Sequence, residues 1–298
     1  MKNIAPVCIS TYTRIEHLKK TVKALSENKY ASDVDLFVFS DGARPGDEDK
    51  VGLVRGYLSK VTGFRSVNII ERESNNRVYN NRNGLSEILN KYGRCVFLED
   101  DIVTAPGFIE YMNSALDKYE NNSGVMSITG YCPPIPIPSE YSHDVFALNR
   151  FCSWGFAIWK DRYDMIRYLD GDDFNSIDIK KISEFGEDIY SMVRSDFLGN
   201  IDALDVKAMF CQYKESKATI YPRHSLVQNI GHDGSGIHCG ITDRFKHEFL
   251  WNKIDDFVFP DDVMIDKGIV DSNFNFRRIS LKEKFYNFYK GIFDFRFL

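Results

Sequence analysis

The 298 residues are 43% hydrophobic and 27% charged with a formal net charge of -5, enough apolar material for a proper core. The mild acidity argues against a chain built mainly to bind nucleic acid, which favours a basic face. No apolar run approaches the roughly 20 residues of a spanning helix, and the start MKNIAPVCISTYTR lacks the pattern of a signal peptide, so the chain reads as soluble and cytoplasmic.

The first third alternates strand and helix patterns. APVCIST reads as a buried strand, and RIEHLKKTVKALSEN carries Ile15, Leu18, Val22 and Leu25 at helical spacing. VDLFVFSDG is a second strand, DEDKVGLVRGYLSKVTG a second helix, SVNIIERES a third strand, NRNGLSEILNKYG a helix closed by Gly93, and RCVFLEDD a fourth strand. This rhythm predicts an α/β fold with a mainly parallel sheet flanked by helices, with ligands at the carboxyl ends of the strands. A helix in APGFIEYMNSALDKYENN and a strand in GVMSITGY follow, and then the rhythm changes. CPPIPIPSEY is a proline-rich loop, and FCSWGFAIWKDRYDMI is aromatic and glycine-bearing. Residues 1–130 thus read as a nucleotide-binding half, 131–250 as a second lobe on the same domain, and 251–298 as an extension. Cys8, Cys95, Cys132, Cys152, Cys211 and Cys239 show no CxxC spacing, which suits free thiols in a reducing compartment.

The fourth strand ends in Glu99-Asp100-Asp101. Adjacent carboxylates repel, so a cation belongs beside them. Mg2+ or Mn2+ would bind carboxylate oxygens and bridge a diphosphate. The other strand ends fit a nucleotide: Ser10-Thr11-Tyr12 with Arg14, then Ser40-Asp41-Gly42, then Asn75-Asn76-Arg77. A carboxylate such as Asp41 can accept from a base or ribose, and an arginine can neutralise phosphate with a planar fork.

These stretches resemble the GT-A glycosyltransferases, through APVCISTYTRIEHLKKTVKAL, FVFSDG and the DXD-type VFLEDDIVTAPGFIEYM. In detail they are similar to the N-acetylglucosaminyltransferase I family, and closer to bacterial transferases of polysaccharide assembly with blocks like CSWGFAIWKDR and SLVQNIGHDGSGIHC. The resemblance spans roughly Ala5 to Gly240. It implies a metal contact at Asp101, Glu99 toward the ribose or donor sugar, Asp100 near the sugar, Asp41 at the base, Arg14 near the nucleotide, and a UDP-linked donor. A glycan or lipid-linked saccharide would be the acceptor.

Inverting transfer needs a carboxylate to take the acceptor proton. The family's G-x-I-D-S-W-like block implies Asp202, although Ala203-Leu204 replaces Ser-Trp here, and Asp205 is a rival. Trp154 offers an indole face for a sugar, with Gly155 a small neighbour that lets the ring approach; core packing is an equal explanation for Trp154 and the plainer one for Trp159. In NIGHDGSGIHC, His232 could complete the metal shell or bind diphosphate, and Asp233, Ser235 and His238 share its glycine-rich loop. The tail SLKEKFYNFYKGIFDFRFL interleaves rings and bases, which suits a helix at the inner membrane face or one packed on the protein. A nucleotidyltransferase is an alternative, but STYTRIEH lacks the glycine a triphosphate loop needs; a non-catalytic sugar-nucleotide or glycan binder is another.

Overall fold

A computed structural model describes residues 4–236, 241–248 and 250–278. In chain order the elements are β1 (Val7–Thr11), α1 (Ile15–Ser26), β2 (Asp35–Ser40), α2 (Glu48–Leu58), β3 (Ser66–Glu71), α3 (Arg77–Tyr92) and β4 (Arg94–Glu99). Next come β5 (Ile102–Thr104), α4 (Phe108–Tyr119), β6 (Val125–Thr129), β7 (Val145–Leu148), β8 (Phe156–Trp159), α5 (Lys160–Tyr163), α6 (Gly171–Asn175) and α7 (Ile179–Ser183). The chain continues with α8 (Ile189–Phe197), α9 (Leu204–Glu215), β9 (Ala218–Pro222), β10 (Val227–Asn229) and α10 (Lys267–Phe276).

Eight strands form one mixed sheet in the order β3-β2-β1-β4-β8-β6-β9-β7. β1 to β4 run parallel, and β8 enters antiparallel between β4 and β6. The expected α/β architecture, a sheet flanked by helices, is therefore present, and both halves of the chain share the same sheet.

Alternation along a strand sends successive side chains to opposite faces. In β4, Val96 and Leu98 join a core with Leu18, Val22 and Leu25 of α1 and Met112 and Leu116 of α4. Cys95 and Phe97 join the opposite core, with Leu85, Ile88 and Leu89 of α3, Val193 of α8 and Met209 of α9. Each fully buried aliphatic contributes about 1.5–3 kcal/mol, which is why this strand carries no polar alternation.

α3 starts at Arg77, ahead of the periodic stretch in the sequence, because the Asn76 side chain accepts from the Tyr79 amide at 3.1 Å and caps it. Gly93, at φ 75°, ends it. The short strands β5, β7 and β10 and the helices α5 to α8 are absent from the sequence reading; three to nine residues give too little periodicity to register. From the extension, Phe257 and Phe259 pack on Tyr111 of α4, and Ile269 of α10 joins Cys132, Phe146 and Tyr221. The expected interfacial tail, Ser280 to Leu298, lies outside the described residues, as do His238 and Cys239. The other five cysteines are free, and among the described residues no helix is long and apolar enough to cross a membrane.

Candidate functional site at the strand ends

β1, β2 and β4 finish level with one another: Thr11 pairs with Ser40 and Ser10 with Glu99. A parallel sheet thereby delivers the residues beyond each strand to one edge. They line a cavity of about 200 Å3: Thr11, Tyr12 and Arg14 from β1, Asp41 and Arg44 from β2, Asn75 and Arg77 before α3, and Glu99, Asp100 and Asp101 after β4. Ser235 and Gly236 of the glycine-rich loop close its far side. A larger cavity of about 800 Å3 lies at the opposite edge, near Ile4, Arg65, Arg94 and Trp159. Its charges include settled pairs, Arg94 with Asp117 and Arg65 with Asp35, and it has no run of acids.

The acidic turn is buried. Asp100 and Asp101 are 4% and 3% exposed, so water cannot screen their repulsion. Arg14 bridges them, bonding Asp100 Oδ1 and lying 2.8 Å from Asp101 Oδ2. Thr11 Oγ1 donates to the second Asp100 oxygen at 3.2 Å, and Thr21 Oγ1 to its carbonyl at 2.8 Å. Asp101 Oδ1 is buried with no hydrogen-bond partner. Burial, then the Asp101 charge, pushes the Glu99 carboxyl up to about 7, and burial raises Asp100 as well. Arg14 is raised despite its burial, by Asp100 and Asp101.

Asp41 is more heavily used than the sequence suggests. Its Oδ1 accepts from the amides of Gly42 and Asn76 and from the Asn80 side chain, and its Oδ2 accepts from Asn75 Nδ2 at 3.0 Å. The residue ties the end of β2 to the start of α3, leaving a single free edge toward the cavity. Arg44, which the sequence reading passed over, reaches Asn75 Oδ1 through Nε at 2.8 Å, while its amide donates to the Tyr12 hydroxyl. An arginine two residues past Ser40-Asp41-Gly42 was the available signal.

The antiparallel ribbon β5–β10 brings the glycine-rich loop to the acids. The Ile230 amide donates to the Asp101 carbonyl at 2.9 Å. A Cβ on Gly231 would overlap Asp101 Oδ2, so a side chain there would push the Asp101 carboxylate out of place. His232 follows at once, and both its ring nitrogens are buried without partners. Its ring lies against Trp154 at 5.3 Å and Phe245 at 5.2 Å. Asp233 turns away from this cluster. Its oxygens accept from the Ser235 amide and contact His17 Nε2 at 3.0 Å, bonds that hold its carboxyl at about 2.

Trp154 also packs edge-on against Tyr131 and Phe245. For Gly155 the packing explanation fits: at φ 61° its Cβ would stand 3.1–3.2 Å from Val227, Leu98 and Phe108, so its bare face points into the core. Asp202 lies outside the lining of the strand-end cavity, in a cationic nest. It accepts from Lys207 Nζ at 2.8 Å, Arg82 at 3.2 Å and the Tyr168 hydroxyl at 2.9 Å. Its carboxyl is lowered by Lys207 and Tyr168 against the opposing effect of burial. Asp205, in the first turn of α9, differs: burial raises its carboxyl, and its Oδ1 accepts from the Val206 amide at 3.0 Å.

No family model matches the chain, and no curated protein does. Among solved structures it is similar to a mannosyltransferase, PcManGT, from Pyrobaculum calidifontis in complex with GDP-Man and Mn2+, at 12% identity over 53% of this chain and 45% of that one (TM-score 0.37). It is also similar to S. aureus TarS 1-349, at 10% identity over 76% of this chain and 60% of that one (TM-score 0.44). The chain therefore spans less than two thirds of the length of either, and the functional reading rests on its own residues.

Proposed function

We propose that the chain is a metal-dependent glycosyltransferase of the GT-A kind. It would move a sugar from a nucleoside diphosphate, with UDP the first choice, to a hydroxyl of a glycan or glycolipid in surface polysaccharide assembly. One observation carries the reading: a buried acidic turn with a partnerless Asp101 oxygen faces a cavity that also holds Arg14 and Arg77. The sequence resemblance to bacterial polysaccharide transferases points the same way.

The residues fit a hard divalent ion such as Mn2+ or Mg2+. Asp101 Oδ1 and the His232 nitrogens are orphaned donors of the right chemistry. Among the described residues no three His, Cys, Asp or Glu side chains converge, which leaves the other positions to phosphate oxygens and water. When bound, the ion supplies charge to stabilise the departing diphosphate. Arg14 and Arg77 hold phosphate oxygens, Asp41 presents its free edge to the base, and Glu99 and Asp100 face ribose and sugar. Trp154 offers the acceptor a ring face. The acceptor oxygen bonds to the anomeric carbon as the bond to the diphosphate breaks, and its proton passes to a carboxylate. The resemblance gives that role to Asp202, with Asp205 its rival; neither lines the strand-end cavity.

Calorimetry with UDP tests the site. Wild type is expected to bind it only with Mn2+, and Asp101→Ala to lose that dependence with its fold intact. Equal affinity with and without metal would sink the reading.

A further inference from the structure

We infer that the carboxyl-terminal extension, where it packs beside Arg150 and Asp188, holds an anion-binding subsite at Arg277 close to the proposed reaction centre, so that the acceptor carries a phosphate or carboxylate group near its reacting hydroxyl. The inference rests on the glycosyltransferase reading.

The side chains there are out of balance. Arg150 forks onto Asp188 with bonds of 2.8 and 2.7 Å, and that carboxylate is then satisfied. Arg277 stands next to this pair, its Cβ 3.7 Å from where a Gly186 side chain would begin. Among the described residues its guanidinium makes no ion pair, and Nε is buried with no partner. It lies over Phe245 at 5.8 Å and Phe276 at 5.5 Å. Arg244 lies over the same rings at 5.6 and 5.1 Å, with only main-chain carbonyls as acceptors. Arg150 and the half-buried Arg277 therefore share one carboxylate, with the exposed Arg244 beside them. Asp205 faces Arg150 too, but burial raises its carboxyl and weakens it as a counter-charge.

Rings alone do not fully compensate a half-buried cation whose Nε is buried without a partner. Burial and then Arg150 lower Arg277, so the fold holds this charge against its preference. The guanidinium is a planar fork suited to phosphate or carboxylate. Its position indicates which substrate brings the anion. Phe245 is 5.4 Å from Trp154 and 5.2 Å from His232, whose loop packs on Asp101. The donor diphosphate would sit with Arg14 and Arg77 beyond these rings, which leaves Arg277 to the acceptor.

The test uses the full chain, with glycerol 3-phosphate and glucuronate as probes, glycerol as the neutral control, and tryptophan fluorescence as the readout. At least one anion is expected to bind wild type saturably, and the one that binds names the group. Arg277→Gln should weaken it about tenfold to a hundredfold, and Arg277→Lys by less. Without ligand, Arg277→Gln should melt no lower than wild type, because the Arg150–Asp188 pair survives, while Arg150→Gln should melt several degrees lower. Equal anion binding by wild type and Arg277→Gln, or none by wild type, would overturn the inference. Mn2+-dependent UDP binding, measured on the same samples, should be unchanged in Arg277→Gln; its absence from wild type would remove the donor reading instead.

Discussion

The two sides of the strand-end region carry opposite surpluses of charge. After β4, three carboxylates share Arg14 and Arg77. Across Trp154 and His232, Arg150 and the half-buried Arg277 share Asp188, with the exposed Arg244 alongside. Other buried charges are paired directly: Lys207, 1% exposed, lies 2.6 Å from Asp196, and Asp173 is held by Arg167 and Lys214. Leaving buried charge unmatched costs several kcal/mol per ion. The two imbalances are intelligible as places completed by ligands of opposite sign, a cation on one side and an anion on the other.

The largest effect is expected at the two candidate proton acceptors. Of Asp202→Asn and Asp205→Asn, one should cut transfer by about 10²- to 10⁴-fold with UDP and Mn2+ affinity unchanged, and the other by less. If both stay active in single-turnover assays, the proposed single-carboxylate mechanism is wrong. Next in size is Lys207→Met, which strands Asp196 and should cost about 3–5 kcal/mol in urea unfolding. A loss under about 1 kcal/mol would mean that solvent reaches the pair.

Gly155→Ala should cost about 1–3 kcal/mol, from a left-handed backbone and crowding in the core, while donor binding persists. Unchanged stability with impaired transfer would restore a sugar-facing role for this glycine. The smallest effect belongs to an ordinary surface pair. Arg65, then Ser66, hold the Asp35 carboxyl at about 2, below its unfolded value of about 3.9. Its stabilisation is present above that value and is lost as pH falls through the folded one. With Arg65 54% exposed, wild type should exceed Asp35→Asn by about 1 kcal/mol or less at neutral pH, the gap closing between about pH 4 and pH 2. A gap that widens in acid would contradict the pairing.

The first half was legible because β1, β2 and β4 are buried on both faces and each helix spans three or more turns, so APVCIST, VDLFVFS and RCVFLE announce themselves and bring their trailing acids and arginines to one edge. The second half was not. α5, α6 and α7 have four or five residues each, and what anchors them is tertiary, such as the ion pair of Asp173 in α6 with Lys214 of α9. Among candidate residues, Glu99 to Asp101 could be read from adjacency alone. The Asp41 hydrogen bonds, the overlap that a side chain at Gly231 would make with Asp101 and the unmatched Arg277 depend on residues far apart in the chain.

The pairing of Val227 with Thr104 in the β5–β10 ribbon bears on when the site comes into being. These residues are separated by much of the chain, and such distant contacts form late because loop closure must precede them. A growing chain folds its amino-terminal part first, and that part already contains the acidic turn but not the ribbon or His232. Competence to hold metal should therefore arrive among the last steps of folding. In pulsed hydrogen exchange during refolding, the Ile230 amide, bonded to the Asp101 carbonyl, should gain protection after the amides of β1 and β4; protection at the same time as those strands would refute that order.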